Sequence, residues 1–318
     1  MARSVLNGSA LRRVVALGLG CSVALVSGDY YVPYAAEQEA MWSEFKNNFN
    51  LGVGATHEED YAAKQRFFET VKLADARNGA EPNPVHGVTK FSSMGQAEFE
   101  ALMLLDARPD PSSILAHAVD SPLFTPGKDG PVSRDWSGVL TTPVRDQGAC
   151  ASGWAFAAAA QIESDAQRLL GVRYVASPQQ LLACDVHSDY CKGGWPEAGF
   201  AYVRRSGGVE PEASYPYVSG ASGKQPSCHA VVDDFVISIE GPAKALSRET
   251  PYMTEKAMAW HVNNTGPLAV CVDATKWGTY TGGVIETCGS DVNHCLQVVG
   301  VQVSADGTGG WWRLRNSW

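Results

Sequence analysis

Gln147-Gly148-Ala149-Cys150-Ala151-Ser152-Gly153-Trp154-Ala155-Phe156 is a run of mostly small residues that leads into a long helical pattern. After Gly153, Trp154, Ala158, Ile162, Ala166 and Leu169 recur at the spacing of one helix face, while Gln161, Glu163 and Arg168 fall elsewhere. Gly171 is placed to end that helix, because glycine tolerates the left-handed conformation common just past a helix C-terminus. Directly downstream, Ser177-Pro178 supplies an N-cap and a proline at the first helical position, which predicts a second helix running through Leu182.

Further along, the pattern changes character. Phe235–Ile239, Leu268–Val272, Leu296–Val301 and Trp311–Arg315 are rich in β-branched and aromatic residues and bounded by Gly and Pro, which predicts strands. Residues 133–318 therefore read as a helical half followed by a β-rich half. Upstream, Met41, Trp42 and Phe45 share one helix face, and a second helical stretch covers about Glu58 to Asn78. The segment from Asp106 to Gly130 carries Pro109, Pro111, Pro122, Pro126, Gly127 and Gly130, the punctuation of an exposed connection open to processing.

With 318 residues, of which 45% are hydrophobic and 19% charged, the chain is long and apolar enough to bury a sizeable core. Its formal net charge of −9, without a long basic run, argues against a nucleic-acid partner. Arg3, Arg12 and Arg13 precede the apolar run Val14–Val26, the layout of a secretory signal. That run is shorter than the roughly 20 residues needed to span a bilayer, so no membrane association is expected once the signal is removed. Ser27-Gly28 and Ala35-Ala36 are alternative cleavage points, and Cys21 would leave with the signal. Seven of the eight cysteines lie at or beyond Cys150, which points to a disulfide-bearing domain in an oxidising compartment.

The motifs around the opening stretch, taken together, resemble those of the papain-like, cathepsin-like cysteine peptidases. Gln147, Cys150 and Trp154-Ala-Phe156 match the family's active-site segment, Cys184 and Cys191-Lys-Gly193-Gly194-Trp195-Pro196 match a second landmark, and Tyr215-Pro216-Tyr217 a third. The resemblance implies an α+β, two-lobed fold (a helical lobe and a β-barrel-like lobe) preceded by a mainly helical inhibitory propeptide. The implied boundaries are residues 1–28 for the signal, 29–124 for the propeptide and 125–318 for the peptidase domain. The family's spaced propeptide pattern falls on Glu59, Ala63, Phe67, Thr70, Ala74 and Asn78, where only the Glu, the Phe and the last Asn match. A second propeptide motif maps to Gly87-Val-Thr89-Lys-Phe91-Ser-Ser93, with Thr for Asn and Ser for a carboxylate that could have sensed pH.

Cysteine catalysis needs a thiolate, a base, a group that orients the base and donors for the oxyanion. By resemblance, the oxyanion glutamine is Gln147, the histidine is His294 and the orienting asparagine is Asn316, with Trp318 covering the His–Asn pair. The nucleophile position falls on Gly153, which has no side chain to attack a carbonyl. Ser152 lies one residue early, which turns its side chain by about 100° at a helix start, and Cys150 is committed if it pairs with Cys191. Losing the nucleophile of a comparable triad costs on the order of 10⁶ in kcat. The expectation is a papain-type endopeptidase by family that does not hydrolyse peptides as written. Two readings of Gly153 remain: a pseudopeptidase whose cleft binds peptides or a protein partner, or a chain whose natural counterpart carries Cys there.

The resemblance further implies that Gly193 and Gly194 pair with a peptide backbone, and that Trp195, Pro196, Cys271, Val292, Cys295 and Trp318 shape the substrate groove. It implies the bridges Cys150–Cys191 and Cys184–Cys228. Cys271 and Cys295 map to facing walls of one substrate pocket, either as an additional bridge or as two small buried hydrophobes. Cys288 has no evident partner, and the chain ends at Trp318 ahead of the family's remaining strands, which reads as a fragment. The expected partners are a peptide or protein ligand and the chain's own propeptide, on a monomer of the secretory pathway, extracellular or lysosomal/vacuolar. No cofactor and no metal are implied. His57-Glu58-Glu59-Asp60 reads as a solvated helix start, and Asp185, His187 and Asp189 as a polar surface loop rather than a metal site. Asn263-Asn-Thr265 is a glycosylation sequon; Asn7-Gly-Ser9 lies within the signal.

Overall fold

The computed structural model describes residues 35–50, 56–106, 132–224, 227–240, 255–304 and 309–318. The expected signal, its Ser27-Gly28 cleavage point, most of the 106–130 connection and the 124/125 boundary lie outside these residues, whereas the alternative cleavage point Ala35-Ala36 falls on the first two residues of a described helix. The chain divides into two compact units, one formed by residues 1–99 with 274–289 and the other by 100–273 with 290–318.

The first unit is built on helices α1 (Ala35–Phe49) and α2 (His57–Asn78), with the start of α3 (Gln96–Met103). Trp42 and Phe45 of α1 pack on Ala63 and Phe67 of α2, with Trp42 stacked on Phe45 at 5.4 Å and Phe67 4.7 Å from Phe45. Thr56 and Glu59 form a reciprocal capping box at the start of α2, so the charged run 57–60 is a helix start, as its composition predicts. Asn78 ends the helix as a turn organiser: its Oδ1 accepts from the Val85 and His86 amides at 2.9 and 2.8 Å, and its Nδ2 donates to the His86 carbonyl. The loop 274–289 belongs to the same unit. Its Thr279 carbonyl accepts from the Gly87 amide at 2.7 Å, and its Glu286 and Thr287 amides donate to the Glu81 carboxylate.

The second unit contains β1 (Ser133–Asp135), α4 (Gly153–Leu170), α5 (Pro178–Cys184), α6 (Pro196–Ser206), the single turn α7 (Ser219–Ser222), α8 (Glu255–Asn264), β2 (Leu268–Val272), β3 (His294–Val303) and β4 (Gly310–Arg315). All strand pairs are antiparallel and centre on β3. β4 runs along residues 297–303 of β3, overlapping the stretches paired with β2 (294–298) and β1 (300–302), so β1 and β2 share the opposite edge. From His294 to Val301 every residue of β3 is buried, because both faces of the sheet are covered. Ala259 and Val262 of α8 cover one face, packing with Val298 and Val301.

α4 is the central helix, and it departs from the expected amphipathic stripe. Residues 153–160 are all buried, since alanine on nearly every face lets neighbouring elements approach closely. Leu169 is 66% exposed and Glu163 is buried, the reverse of their expected places: the last turn projects beyond the core, and Glu163 is drawn inward by Arg145. Gly171 takes the left-handed conformation (φ 69°) and closes the helix, and Ser177 Oγ accepts from the Gln180 amide to cap α5.

Of the four strands expected, Phe235–Ile239 does not form. Among the described residues it makes one bridge, Val209 to Ile237, because residues 232–234 coil into a tight turn that spends the Phe235 amide on the Val232 carbonyl. Asp185 is likewise not on a polar surface. It is fully buried, accepting from Ser188 Oγ at 2.6 Å, with Arg205 3.4 Å away.

Candidate active site

Cys150 is bridged to Cys191, Cys184 to Cys228 and Cys271 to Cys295, while Cys288 is an exposed free thiol. The first bridge fastens the segment before α4 to the loop before Gly193, and the Ala151 amide donates to the Cys191 carbonyl at 3.0 Å. Gly193 sits at φ 146°, where a side chain is strained, and a Cβ on Gly194 would fall 2.6 Å from the Trp154 ring. Gly193 is thus favoured by its backbone conformation and Gly194 by the close approach of the Trp154 and Ser188 side chains. Trp195 stands half-buried at the N-cap of α6, and Pro196 is buried at its first position.

His294 opens β3 and Asn316 follows β4. The β3–β4 register pairs Gln297 with Arg315, and its continuation brings Trp318 opposite His294. The Trp318 ring lies 4.6 Å from the imidazole at 37°. His294 Nε2 is 2.8 Å from Asn316 Oδ1. An amide oxygen only accepts, so Nε2 carries the proton and, in the neutral ring, Nδ1 is bare. Burial holds the His294 pKa down at about 4, against which the Asn316 hydrogen bond works, so the ring is neutral near pH 7. Nδ1 is buried and makes no hydrogen bond.

Gly153 is the first residue of α4, at its N-terminus. A Cβ built there would meet His294 Cε1 at 2.5 Å, His294 Nδ1 at 2.8 Å and the Cys295 carbonyl oxygen at 2.9 Å. The imidazole therefore packs directly on the glycine backbone. Ser152 does not replace the missing side chain. Its hydroxyl is 2.7 Å from Tyr217 Oη, and Tyr217 spends its own proton on the Gln147 carbonyl, so Ser152 donates to Tyr217. Burial pushes the Tyr217 pKa up to about 12, which keeps that proton in place.

Gln147 is fully buried. Its Nε2 donates to the Cys150 carbonyl at 2.9 Å and to the Met103 carbonyl at 3.3 Å, and its Oε1 accepts from Ser317 Oγ at 2.7 Å. The Gln147 amide also donates to the Ser317 carbonyl at 2.8 Å. These two bonds to Ser317 hold the helix entry against the segment that carries Asn316.

Residues 103–106 lie along this assembly. Met103 presents its carbonyl to Gln147, the Leu105 amide donates to the Asn293 carbonyl at 2.7 Å, and the Asp106 amide donates to the Lys192 carbonyl at 2.8 Å. Met103, Leu104 and Leu105 are all buried. Sequence reasoning does not single them out, although the apolar run Leu102-Met-Leu-Leu105 beside a proline-rich connection is a usable signal. Val292 and Asn293 form the turn into β3, with the Asn293 amide on the Val272 carbonyl, and Cys271 faces Cys295 in register across β2 and β3.

A second feature without a local sequence signal lies behind Asn316. Arg145 pairs with Glu163 at 2.6 Å and with Glu212 at 2.7 Å, and Glu163 also accepts from Thr142 Oγ1 and the Ala176 amide. Desolvation raises the Glu163 pKa, opposed chiefly by the Arg145 charge. Arg315 donates to Thr142 Oγ1 and the Pro143 carbonyl, both at 2.8 Å, which anchors the residue next to Asn316. No group of three or more metal-ligating side chains occurs among the described residues.

A family model described as "Papain family cysteine protease" matches residues 130–318. The chain is 33% identical over 290 residues to "Cysteine proteinase 2" of Leishmania pifanoi, covering 88% of this chain and 62% of that protein's length. It is 30% identical over 301 residues to "Cysteine proteinase EP-B 1" of Hordeum vulgare, covering 88% of this chain and 76% of the relative. In three dimensions it is similar to procathepsin L2 proteinase from the Tenebrio molitor larval midgut, with a TM-score of 0.73 and 25% identity over 88% of this chain and 90% of that one.

Proposed function

The chain belongs to the papain family of cysteine proteases, and on that premise we propose that it binds extended peptide in its groove without hydrolysing it. Gly153 carries this reading. It stands where the nucleophile is expected and offers no thiol, and the neighbouring imidazole is neutral rather than the cationic partner of a thiolate. What is left of the site is an arrangement for holding backbone: the Gln147 amide as donor, and the Asn293 and Lys192 carbonyls as acceptors. The first occupant is the chain's own residues 103–106.

We assign residues 29–124 as a propeptide and 1–28 as a secretory signal. The three bridges fit an oxidising compartment, extracellular or lysosomal/vacuolar. Gly193, Gly194, Trp195, Pro196, Val292 and Trp318 are assigned to the groove, and His294 and Asn316 to holding its floor. The test uses the full chain and its form cut within 107–131, each incubated with fluorogenic peptide amides and with a thiol-directed covalent probe. The expected result is no turnover and no active-site labelling, with peptide binding appearing only after the cut. Turnover abolished by the probe would overturn the proposal, and so would a cut form that binds no peptide.

A further inference from the structure

Two of the three bridges, Cys150–Cys191 and Cys184–Cys228, close excursions of 41 and 44 residues that contain whole helices. The third is different. Cys271 and Cys295 are already direct partners in the β2–β3 ladder, so the backbone holds them together without a covalent link. A bond between residues already paired adds little to the connectivity of the sheet. Its location is more telling: Cys295 follows His294 and is fully buried, while Cys271 is half-buried.

Leu105 is tied by its amide to Asn293, two residues before Cys295. Its side chain is 8% exposed, inside the apolar cluster that also holds Cys295, with Cys271 and Trp195 packed against it. Two separate thiols on that wall would be free to change rotamer and make room for a larger occupant. A cystine is not, because each sulfur is fixed by the other and neither can turn away. Apolar pockets with immobile walls discriminate against added bulk more steeply than adaptable ones.

Resting on the proposal that residues 103–106 mark the peptide-binding groove, we infer that the Cys271–Cys295 bridge is its specificity-determining wall, limiting the pocket at Leu105 to a branched aliphatic side chain and rejecting aromatic ones. The covalent link, rather than the bulk of the two cysteines, sets the limit.

The test is a cycle on the full chain, read as hydrogen exchange at the residue-105 amide. It combines Leu105→Phe with Cys271→Ala/Cys295→Ala, and repeats with Cys271→Val/Cys295→Ala, which refills the wall without the bond and stands in if the alanine pair does not fold. With the bridge intact, Leu105→Phe is expected to speed exchange roughly tenfold or more, the usual consequence of over-packing a fixed site. In either bridge-free background the same change is expected to speed it by less than about threefold. Equal acceleration with and without the bridge overturns the inference while leaving the groove in place. A residue-105 amide that exchanges freely in the unaltered chain is a separate outcome: it removes the groove assignment itself, and the inference with it.

Discussion

Replacing Gly153 by alanine sets two effects of opposite sign against each other. Glycine in a helix is less favourable than alanine by about 1 kcal/mol, so on propensity alone Gly153→Ala stabilises the protein. The surroundings say otherwise. The new methyl carbon would lie 2.5 Å from His294 Cε1, 2.8 Å from Nδ1 and 2.9 Å from the Cys295 carbonyl oxygen. None of these atoms is the loose end of a flexible chain. The imidazole is held by Asn316 on one side and the Trp318 ring on the other, and the carbonyl belongs to a buried strand bridged through Cys271. Forcing a methyl group into a packed site of this kind costs about 1–3 kcal/mol. The net expectation is a loss of up to about 2 kcal/mol, or up to roughly 8 °C in Tm for a domain of this size. Urea denaturation gives the first number and calorimetry the second. NMR titration supplies an independent reading, because a ring pushed out of its seat regains water and titrates above the value of about 4 that burial imposes. An alanine variant more stable than the parent, with His294 titrating unchanged, would refute the claim that the imidazole rests on the glycine backbone.

His294 and His261 are both held near pKa 4 by burial, whereas an unfolded chain protonates them near 6.5. Protons in that window therefore favour the unfolded state: stability is complete above about pH 6.5 and falls as pH drops towards 4, by roughly 2 kcal/mol at pH 5 for His294 and less for the partly exposed His261. Urea midpoints that stay level between pH 7 and pH 5 would contradict this. Glu163→Gln removes one of the two carboxylates that balance half-buried Arg145, at a cost of about 1.5–3 kcal/mol in denaturant titrations; a loss below about 1 kcal/mol would mean the network is energetically idle. Trp42→Ala empties the centre of the α1–α2 pair, where the indole also donates to Asp60 at 3.2 Å, and is expected to cost that unit about 3–5 kcal/mol. Limited proteolysis within residues 35–99 should then accelerate, and unchanged cleavage would argue that the two helices are held from elsewhere.

The parts of the fold that could be read from the sequence are those where a residue type answers a backbone demand. Gly171 at a left-handed cap, Ser177-Pro178 at a helix start and the β-branched and aromatic runs that mark β2, β3 and β4 are local requirements, visible without knowing what lies alongside. The misreadings concern burial set by distant neighbours. Glu163 looks like a surface residue until Arg145, 18 positions away, is known to reach it. Phe235–Ile239 has strand composition, but among the described residues it bridges only to Val209. β1 and α8 carry no local signal strong enough to be seen, because three residues and a ten-residue helix owe their form to docking on β3.

The site divides along the same line. Gln147, His294 and Asn316 are recognisable as an ordered set, and the absence of a thiol at Gly153 is plain from the residue itself. The structural consequence of that absence is not. The hydrogen bonds that hold the set together do not run through the side chain of residue 153: Gln147 is tied to Ser317 and Cys150, His294 to Asn316, and Ser152 to Tyr217. The absence of a side chain at residue 153 thus leaves these groups partnered, with only the Nδ1 of His294 bare among them. That single unmet acceptor is tolerable because the ring is neutral, and a neutral ring can settle against the glycine backbone where an imidazolium would demand a counter-charge. The same geometry explains how the surrounding scaffold stays ordered with a glycine at position 153. The groups that hold the backbone of residues 103–106 are satisfied independently of any side chain at position 153.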